Sequence, residues 1–273
     1  MSILEAFISG IVQGACEFLP VSSSGHLSLI HSAFGFDAGA GNVAFDVLLH
    51  LGTLAAVLIV YRRDVARLAH GLMSAAAKAI RGEFKWSAAE QNEKLALLVA
   101  LATIPLAAAA LIKDKVETLA AYPRFVGAVL VLNGVMLILG GLIRSRGKRC
   151  AELGAPAAIG IGLFQLIACV PGLSRSGSTI TGGRVFGLET EEAVRFSFIM
   201  SIPAILGANV FGAADLIKER AAIEILTCAV GMLTAAVVGF AAIKLIGSIA
   251  RKKNFNIFGI YCVAVGLIAL LRG

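Results

Sequence analysis

The sequence predicts an all-α polytopic membrane protein with six transmembrane helices, two re-entrant helical hairpins and an inverted-topology repeat. Three observations support this prediction. The chain is strongly apolar, six of its segments are long enough to cross a bilayer, and two further apolar regions are each interrupted by a short polar stretch. A crossing helix needs about 20 mostly apolar residues, and non-helical backbone at membrane depth is tolerated only against protein or a water-filled cavity.

The composition excludes an ordinary soluble domain. Of the 273 residues, 58% are hydrophobic and 15% are charged, whereas soluble domains average about 25% charged residues. The net charge of +7 comes from loops between the apolar runs, so it indicates membrane orientation rather than binding to nucleic acid. The five cysteines are scattered, without the spacing of a metal site or a disulfide framework.

Six apolar runs are long enough to cross a bilayer. They are Val43–Tyr61, Leu95–Ile112, Phe125–Ile143, Phe196–Ala214, Ile225–Ile243 and Phe255–Leu271. Two other apolar regions break in the middle. The first comprises Ala6–Cys16 and Leu27–Phe36, and the second comprises Ala157–Val170 and Ile180–Leu188. Each piece is too short to cross, so each pair is predicted to enter and leave the membrane by the same face.

The distribution of Lys and Arg predicts the orientation. Six crossings place three loop regions on one side: Arg62–Lys94, Arg144–Glu152 with residues 184–195, and Lys244–Asn254. These regions contain 17 Lys or Arg residues, and the other side contains six. Because cytoplasmic loops are enriched in Lys and Arg, the first side is predicted to be cytoplasmic and both termini periplasmic. Part of the Arg62–Lys94 loop is amphipathic and is predicted to be a linker helix at the membrane surface.

The two halves of the chain align with each other. Five residues around the first break match identical residues 152 positions later. They are Gly10, Gln13, Ser22, Ser24 and Gly25, which fall on Gly162, Gln165, Ser174, Ser176 and Gly177. Residues 1–150 and 151–273 are each predicted to hold one hairpin and three crossings. Since three is odd, the second half is inverted, as in many transporters whose broken helices meet near the midplane.

Both breaks are predicted to be anion-binding helix N-termini. Their polar residues are Gln13, Glu17, Ser22, Ser23, Ser24 and His26 in the first, and Ser174, Arg175, Ser176, Ser178 and Thr179 in the second. Each stretch precedes a new apolar run, with Ser or Thr as cap, and helix N-termini attract anions. Arg175 lies outside every loop, and an intramembrane ionisable residue indicates function. Serine also serves close helix packing, so both interpretations stay open for any single serine.

Three further polar residues follow the first break. His31 lies five residues after His26, on a different helix face, and is predicted to be structural. Asp46 and His50, in "FDVLLHLGT", are one helical turn apart and share a face. They are predicted either to support the site from behind or to lie near the membrane interface.

The sequences of the two breaks carry a family resemblance. "QGACEFLPVSSSGH" and "PGLSRSGST" strongly resemble the two signature motifs of the undecaprenyl-diphosphate phosphatase family, the bacitracin-resistance phosphatases of bacterial inner membranes. The first motif is Glu or Gln, three residues and then Glu, here Gln13 and Glu17. The second, Pro-Gly-x-Ser-Arg-Ser-x-x-Thr, is matched from Pro171 to Thr179. The resemblance covers nearly the whole chain, and it implies removal of the terminal phosphate of undecaprenyl diphosphate with a divalent cation, Mg²⁺ or Ca²⁺.

The resemblance also implies roles for single residues. Glu17 and His26 are implied as catalytic groups, Ser23 as a nucleophile, and Arg175 as a phosphate clamp together with neighbouring hydroxyl groups. These hydroxyl groups belong to Ser22, Ser24, Ser174, Ser176 and Thr179. Glu17 and Gln13 are the implied cation ligands. Many members have glutamate at the position of Gln13, and an amide is a weaker cation ligand than a carboxylate.

Two chemical routes and a rival function stay open. Either Ser23 attacks and a phosphoserine is hydrolysed, or water attacks directly, activated by Glu17 or the cation. His26 is three residues from Ser23, so the two are predicted to meet on one helical turn, and the serine route is preferred. The rival is a transporter or flippase of a prenyl-phosphate lipid. The expected partners are a polyprenyl diphosphate lipid, the bilayer and, in a homodimer, a second copy of the chain, but no nucleic acid.

Overall fold

The computed structural model describes residues 1–34, 41–219, 224–252 and 255–272. Within these ranges the fold is helical, apart from an isolated bridge between Lys148 and Leu188. The ends of two predicted segments, Leu27–Phe36 and Lys244–Asn254, lie outside the described residues.

Twelve α-helices are present in the described residues. They are α1 Ile3–Phe18, α2 Ser23–Phe34, α3 Gly41–Val60, α4 Arg62–Ile80, α5 Gln91–Thr103, α6 Lys113–Ala120, α7 Pro123–Leu142, α8 Ala155–Ile167, α9 Arg175–Val185, α10 Thr190–Glu219, α11 Ile225–Lys252 and α12 Asn256–Arg272. Shorter 3₁₀ segments lie at Trp86–Ala88, Ile104–Ile112 and Cys150–Glu152.

Four helical segments of the described chain are long and apolar enough to cross a membrane. They are Gln91–Ala109, Pro123–Leu142, Thr190–Val210 and Ile225–Arg251. A fifth is obtained when α3 is counted together with α4, which is bent away from it by 86°. The sixth predicted crossing, Phe255–Leu271, corresponds to α12, an apolar helix of 17 residues. The chain is therefore a multi-pass membrane protein, with four or five crossings supported by helix length rather than six.

Pro105 changes the geometry of the predicted crossing Leu95–Ile112. The α-helix α5 ends at Thr103, and the chain continues as the 3₁₀ segment Ile104–Ile112. Proline has no N–H to donate to the carbonyl of Leu101, and its ring clashes with that carbonyl, so the α-helical bonding pattern stops here.

The amphipathic helix predicted in the Arg62–Lys94 loop is observed as α4, and its place at the membrane surface stays a prediction. Two ion pairs join it to the helices beside it. Arg195 of α10 lies 2.5 Å from Asp64, and Lys78 lies 2.5 Å from Glu93 of α5. These contacts hold α4 against the bundle after the sharp bend at Tyr61.

Glycine allows α7 and α12 to approach closely. A Cβ atom added at Gly127 would lie 2.9 Å from the carbonyl oxygen of Gly266, and one at Gly134 would lie 2.5 Å from that of Gly259. α1 packs along α11 through small residues in the same way. Small residues are typical of membrane helix contacts, because lipid removes the hydrophobic drive and leaves close packing to hold helices together.

The two interrupted regions form two helix pairs. α1 and α2 are joined by residues 19–22, and α8 and α9 by residues 168–174. These four helices contain 16, 12, 13 and 11 residues, each fewer than the about 20 that a crossing needs. Because the members of each pair pack against each other, each pair folds back on itself.

The main apolar core fixes the end of α1. It gathers side chains from α5, α8, α9 and α10, and it includes Phe18, the last residue of α1. The Phe18 ring meets the Phe198 ring edge-on, with 5.4 Å between the ring centres. This packing holds Glu17, the preceding residue, at a defined place beside the break.

Candidate active site

Inside the fold, the first turn of α2 meets the loop before α9, and the first turn of α9 meets the loop before α2. A Cβ atom added at Gly25 would lie 3.1 Å from the Cα atom of Gly172, and one added at Gly177 would lie 3.2 Å from the Cβ atom of Pro20. Larger residues at either glycine would push the two turns apart. The predicted convergence of the two helix N-termini is therefore observed.

Serine caps both helix N-termini, as predicted. The Gly25 N–H donates to Ser22 Oγ at 3.2 Å, and the Gly177 N–H donates to Ser174 Oγ at 3.1 Å. Such a cap satisfies an N–H group that the helix itself leaves unpaired. The two caps differ in backbone, because Ser22 has a φ of 74° whereas Ser174 has a φ of −86°. The left-handed region is unfavourable for serine.

Asn133 of α7 bridges the two breaks. Its Oδ1 atom accepts a hydrogen bond from the Ser174 N–H at 3.0 Å, and its Nδ2 atom donates to the Pro20 carbonyl at 3.1 Å. The side chain is fully buried. One carboxamide thus satisfies a backbone donor of the second break and a backbone acceptor of the first.

Glu17 is the centre of the polar cluster. Arg175 Nη2 donates to its Oε1 atom. Its Oε2 atom accepts hydrogen bonds from Ser23 Oγ at 2.8 Å and from Gln13 Nε2 at 3.1 Å. The carboxylate is 7% exposed, and a buried carboxylate is retained at acceptable cost only when it is paired and hydrogen-bonded.

His50 of α3 extends this cluster. Its Nε2 atom lies 4.0 Å from Glu17 Oε2. Its Nδ1 atom lies 2.7 Å from the Asp46 carbonyl oxygen, which can only accept, so this contact assigns the ring proton to Nδ1. For His50, which lines the cavity beside Glu17, the structure favours support of the site. Asp46 contributes its backbone carbonyl to this contact while its Oδ1 atom is buried without a partner, so a role for its side chain stays a prediction.

His26 does not pair with Ser23, contrary to the prediction. Its Nδ1 atom lies 2.8 Å from the Ser22 carbonyl oxygen, and its Nε2 atom lies 2.9 Å from the Tyr261 hydroxyl group. The rings of His26 and Tyr261 are stacked, with 5.5 Å between their centres. The backbone bond turns the imidazole towards α12, while the Ser23 hydroxyl turns towards Glu17.

The cluster opens into a cavity of about 240 Å³. Its polar lining includes Glu17, Ser23, Ser24, His50, Ser174 and Arg175. Its apolar lining includes Leu106, Leu173, Ala204 and Ile205. A ligand that fills this cavity therefore meets hydrogen-bonding groups and the Arg175 guanidinium as well as aliphatic groups.

Three predicted phosphate ligands do not line this cavity. Ser22 acts as the cap of α2, and Ser176 Oγ lies 3.1 Å from Ser174 Oγ. Thr179 Oγ1 lies 2.6 Å from Ser197 Oγ, away from the cavity. Phosphate binding by these three residues stays a prediction, whereas Ser24, Ser174 and Arg175 are placed where they can reach a ligand.

The donor set suits a cation that is held partly by substrate. In the described part of the chain, no three His, Cys, Asp or Glu residues form a metal-binding group. Gln13 Oε1 is buried without a hydrogen-bond partner, next to the Glu17 carboxylate. One carboxylate and one carbonyl oxygen are too few for a closed metal site, but Mg²⁺ often takes one or two carboxylates and completes its shell with water and substrate phosphates.

The sequence did not single out Asn133 or Tyr261 as site residues. Both lie in predicted crossings, Phe125–Ile143 and Phe255–Leu271, and their contacts at the breaks span more than 100 residues. The available signal was weak: Asn133 is a polar side chain inside an otherwise apolar helix, where a buried amide needs partners.

Comparison with known proteins identifies the family. The family model described as bacitracin resistance protein BacA matches residues 6–268. The chain is 40% identical to an undecaprenyl-diphosphatase of Rubrobacter xylanophilus, over 99% of this chain and 98% of the relative. It is 38% identical to an undecaprenyl-diphosphatase of Desulfosudis oleivorans and 40% identical to one of Methanobrevibacter smithii, over at least 98% of each chain. The chain therefore belongs to the BacA family.

Proposed function

We propose that this protein is an integral membrane phosphatase that hydrolyses undecaprenyl diphosphate to undecaprenyl phosphate and inorganic phosphate. This activity recycles the lipid carrier of cell-wall synthesis and gives resistance to bacitracin. The observation that carries the proposal is the Glu17 carboxylate, which holds Ser23 and Arg175 together at a cavity with an apolar side. The relatives named undecaprenyl-diphosphatase favour this reaction over the lipid transporter.

Ser23 and Glu17 supply the first half of the reaction. Ser23 Oγ attacks the terminal phosphorus while its proton passes to Glu17 Oε2, to which it is already hydrogen-bonded at 2.8 Å. The bond between that phosphorus and the bridging oxygen breaks, and undecaprenyl phosphate leaves with the proton from Glu17. Water then attacks the phosphorus of the phosphoserine, and Glu17 takes a proton from that water. Glu17 passes this proton to Ser23 Oγ as the Oγ–P bond breaks, and inorganic phosphate is released.

Arg175 and the helix N-termini stabilise the transferring phosphoryl group. The guanidinium has five N–H donors in a planar fork, which suits phosphate oxygens. The N-terminal ends of α2 and α9 add positive dipole ends directed at the same region. Phosphoryl transfer needs mainly such positioning and charge stabilisation. Both ring nitrogens of His26 are bonded elsewhere, to the Ser22 carbonyl and the Tyr261 hydroxyl group, so we assign His26 to holding α2 against Tyr261.

We also propose a divalent cation, Mg²⁺ or Ca²⁺, held by Glu17 and Gln13. The unpartnered Gln13 Oε1 atom supports this assignment. When bound, the cation would neutralise charge on the phosphate oxygens. Chelation with EDTA is expected to abolish turnover, and added Mg²⁺ or Ca²⁺ is expected to restore it; full activity in EDTA would remove the cation from the proposal.

Release of inorganic phosphate by the detergent-purified protein tests the function. We expect release from undecaprenyl diphosphate by the wild type and by Glu5→Gln, and loss of release in Glu17→Gln. Glu5 is the matched control, because it lies on the same helix and only caps its N-terminus. Absence of phosphate release from the wild type, with movement of the lipid between leaflets of proteoliposomes, would instead support the transporter.

The architecture that we propose retains six crossings, two re-entrant hairpins and an inverted repeat of residues 1–150 and 151–273. Reciprocal contacts support it. Gly127 contacts Gly266, and Gly134 contacts Gly259. Adding 132 to the numbers of the two α7 glycines gives the two α12 glycines, Gly259 and Gly266. Each glycine of α7 therefore contacts the counterpart of the other one, as a two-fold axis between α7 and α12 requires. The packing of α1 on α11 likewise has a counterpart in the packing of α8 on α5.

We propose a bacterial inner-membrane location with both termini periplasmic, following the positive-inside rule. Single cysteines at Lys115 and Arg81, both exposed, test the orientation in a background without the five native cysteines. An impermeant maleimide should label position 115 and not position 81 in intact cells; the reverse would overturn the orientation.

A homodimer stays a prediction, to be tested by the mass of the protein in detergent.

A further inference from the structure

Gln165 is a buried amide with no partner in the described structure. It lies near the end of α8, its side chain is 1% exposed, and neither Nε2 nor Oε1 has a hydrogen-bond partner. Its counterpart at an offset of 152 is Gln13, whose Nε2 atom donates to Glu17. Nearly all buried polar groups in folded proteins have partners, so an amide with both ends unpaired indicates a group that a ligand completes.

Gln165 also lines the cavity that contains Arg175 and Ser174. Its direction is fixed by the packing of α8. Gly162, one turn earlier on the same helix face, lies against the Ala102 carbonyl and the Pro105 ring. This close contact fixes the face of α8 that carries Gln165.

Gln165 lies beside the aliphatic part of the lining. Gly162, on the same face of α8, contacts Pro105, and the next residue, Leu106, belongs to that lining. Gln165 has no hydrogen bond to the cluster of Glu17, Ser23 and Arg175. If the terminal phosphate of a lipid diphosphate binds at that cluster and its chain follows the aliphatic residues, its inner phosphate lies between the two.

From this geometry we infer that Gln165 binds the inner phosphate of the substrate, the one that stays on the lipid. Nε2 donates to an oxygen of this phosphate, and a water molecule of the phosphate's hydration shell donates to Oε1. The inference rests on the proposed function and deepens it. Gln165 is then a specificity residue. It favours binding of a lipid diphosphate over free phosphate, because only the lipid presents a phosphate at this position.

The test compares two ligands that each carry one of the two phosphates. Farnesyl monophosphate presents the inner phosphate on a prenyl chain, and inorganic phosphate presents only the terminal one. Binding of each to purified protein in detergent is measured by titration, and does not need turnover. The variants are Gln165→Met, which keeps the shape and removes the donor, and Gln165→Glu, which puts a negative charge there. Asn209→Leu is the control, since Asn209 Oδ1 is also buried and unpartnered but lies outside the cavity.

We expect Gln165→Met to weaken farnesyl monophosphate binding about tenfold, as for loss of a hydrogen bond to a charged group, and Gln165→Glu to weaken it further. Binding of inorganic phosphate should change less than twofold, and the control should bind both ligands normally. Unchanged farnesyl monophosphate binding in both variants would overturn the inference, as would equal weakening of both ligands. Loss of thermal stability in Gln165→Met with unchanged binding would also overturn it, because it would indicate a structural role.

The same measurements separate this inference from the proposed function. A wild type that binds farnesyl monophosphate through Gln165 but releases no phosphate from a lipid diphosphate contradicts the phosphatase and leaves the binding site standing. An active wild type whose Gln165 variants bind normally contradicts the inference alone.

Discussion

The two breaks share a backbone plan and differ in the chemistry attached to it. In each, a serine caps the helix, and a second serine two residues later lies beside the cap. Between these serines the first break has Ser23, and the second has Arg175 at an offset of 152. Both side chains bond to Glu17, which falls on Cys169 in the second half.

This difference shows how a near-symmetric frame gives an asymmetric site. The paired helix N-termini provide the same anion-attracting environment from both sides. The side chains at three positions then have separate roles. The Ser23 hydroxyl group attacks, the Arg175 guanidinium neutralises phosphate charge, and the Glu17 carboxylate contacts both. The substitutions below test whether function follows these three positions and stability follows the shared frame.

Glu17→Gln should have the largest effect on turnover. The amide cannot accept the Ser23 proton, and positioned general bases contribute about 10²- to 10⁴-fold. We expect phosphate release to fall by that range, with substrate affinity largely retained. Steady-state kinetics in detergent measures both. Normal turnover in Glu17→Gln, together with loss in Gln13→Ala, would mean that the essential group at the first break is wrongly assigned.

Arg175→Lys should lower activity at least tenfold. Lysine keeps the charge but loses the planar fork that can engage two phosphate oxygens. Arg175→Ala should be worse, because the Glu17 carboxylate then loses its ion-pair partner. Arg195→Lys is the control, since Arg195 pairs with Asp64 away from the cavity. Turnover near the wild-type value in Arg175→Lys would remove the clamp from the mechanism.

Asn133→Leu should affect both breaks, mainly through stability. The change leaves the Ser174 N–H and the Pro20 carbonyl without their partner. Each buried unsatisfied group costs about 1–3 kcal/mol, so we expect a loss of about 2–4 kcal/mol. Unfolding in detergent measures it. A stability equal to that of the wild type would show that the two breaks do not depend on this bridge.

Removing the caps should give the smallest effects. Ser22→Ala and Ser174→Ala are each expected to cost about 1 kcal/mol of stability, since both remove one cap bond. Ser22→Gly should cost less than Ser174→Gly, because glycine relieves the left-handed φ at position 22 alone. Equal costs for the two glycine variants, measured by unfolding in detergent, would contradict the backbone difference between the breaks.

Hydropathy predicted much of the fold because crossing helices are long and uniformly apolar. Pro123–Leu142 matches its predicted crossing within two residues at either end. The start of α10 at Thr190 was missed, because its first turn carries Glu191 and Glu192 and a hydropathy pattern does not count polar turns as part of a crossing. The bend of 86° between α3 and α4 was not predicted, because an apolar run indicates where a crossing ends and not the direction that the chain then takes.

Within the site, short-range features were predicted better than long-range ones. The caps at Ser22 and Ser174 follow from residue type and position. The sequence spacing suggested that His26 contacts Ser23, but Tyr261, 235 residues away, holds the imidazole instead. The sequence predicts that Glu17 is essential but does not predict its hydrogen bond to Ser23. This bond requires the turn at residues 19–22, in which Ser22 has a left-handed φ. A serine does not signal such a turn in the way that a glycine would.

Rapid quenching with substrate labelled in its terminal phosphate tests the central claim, that Ser23 is the nucleophile and Glu17 its base. Peptide mapping of the quenched wild type should find the label on Ser23. Ser22→Ala and Ser24→Ala should still accept label, whereas Ser23→Ala and Glu17→Gln should not. Absence of label in the wild type at every quench time, together with inversion at a chiral terminal phosphorus, would show direct attack by water and contradict the account.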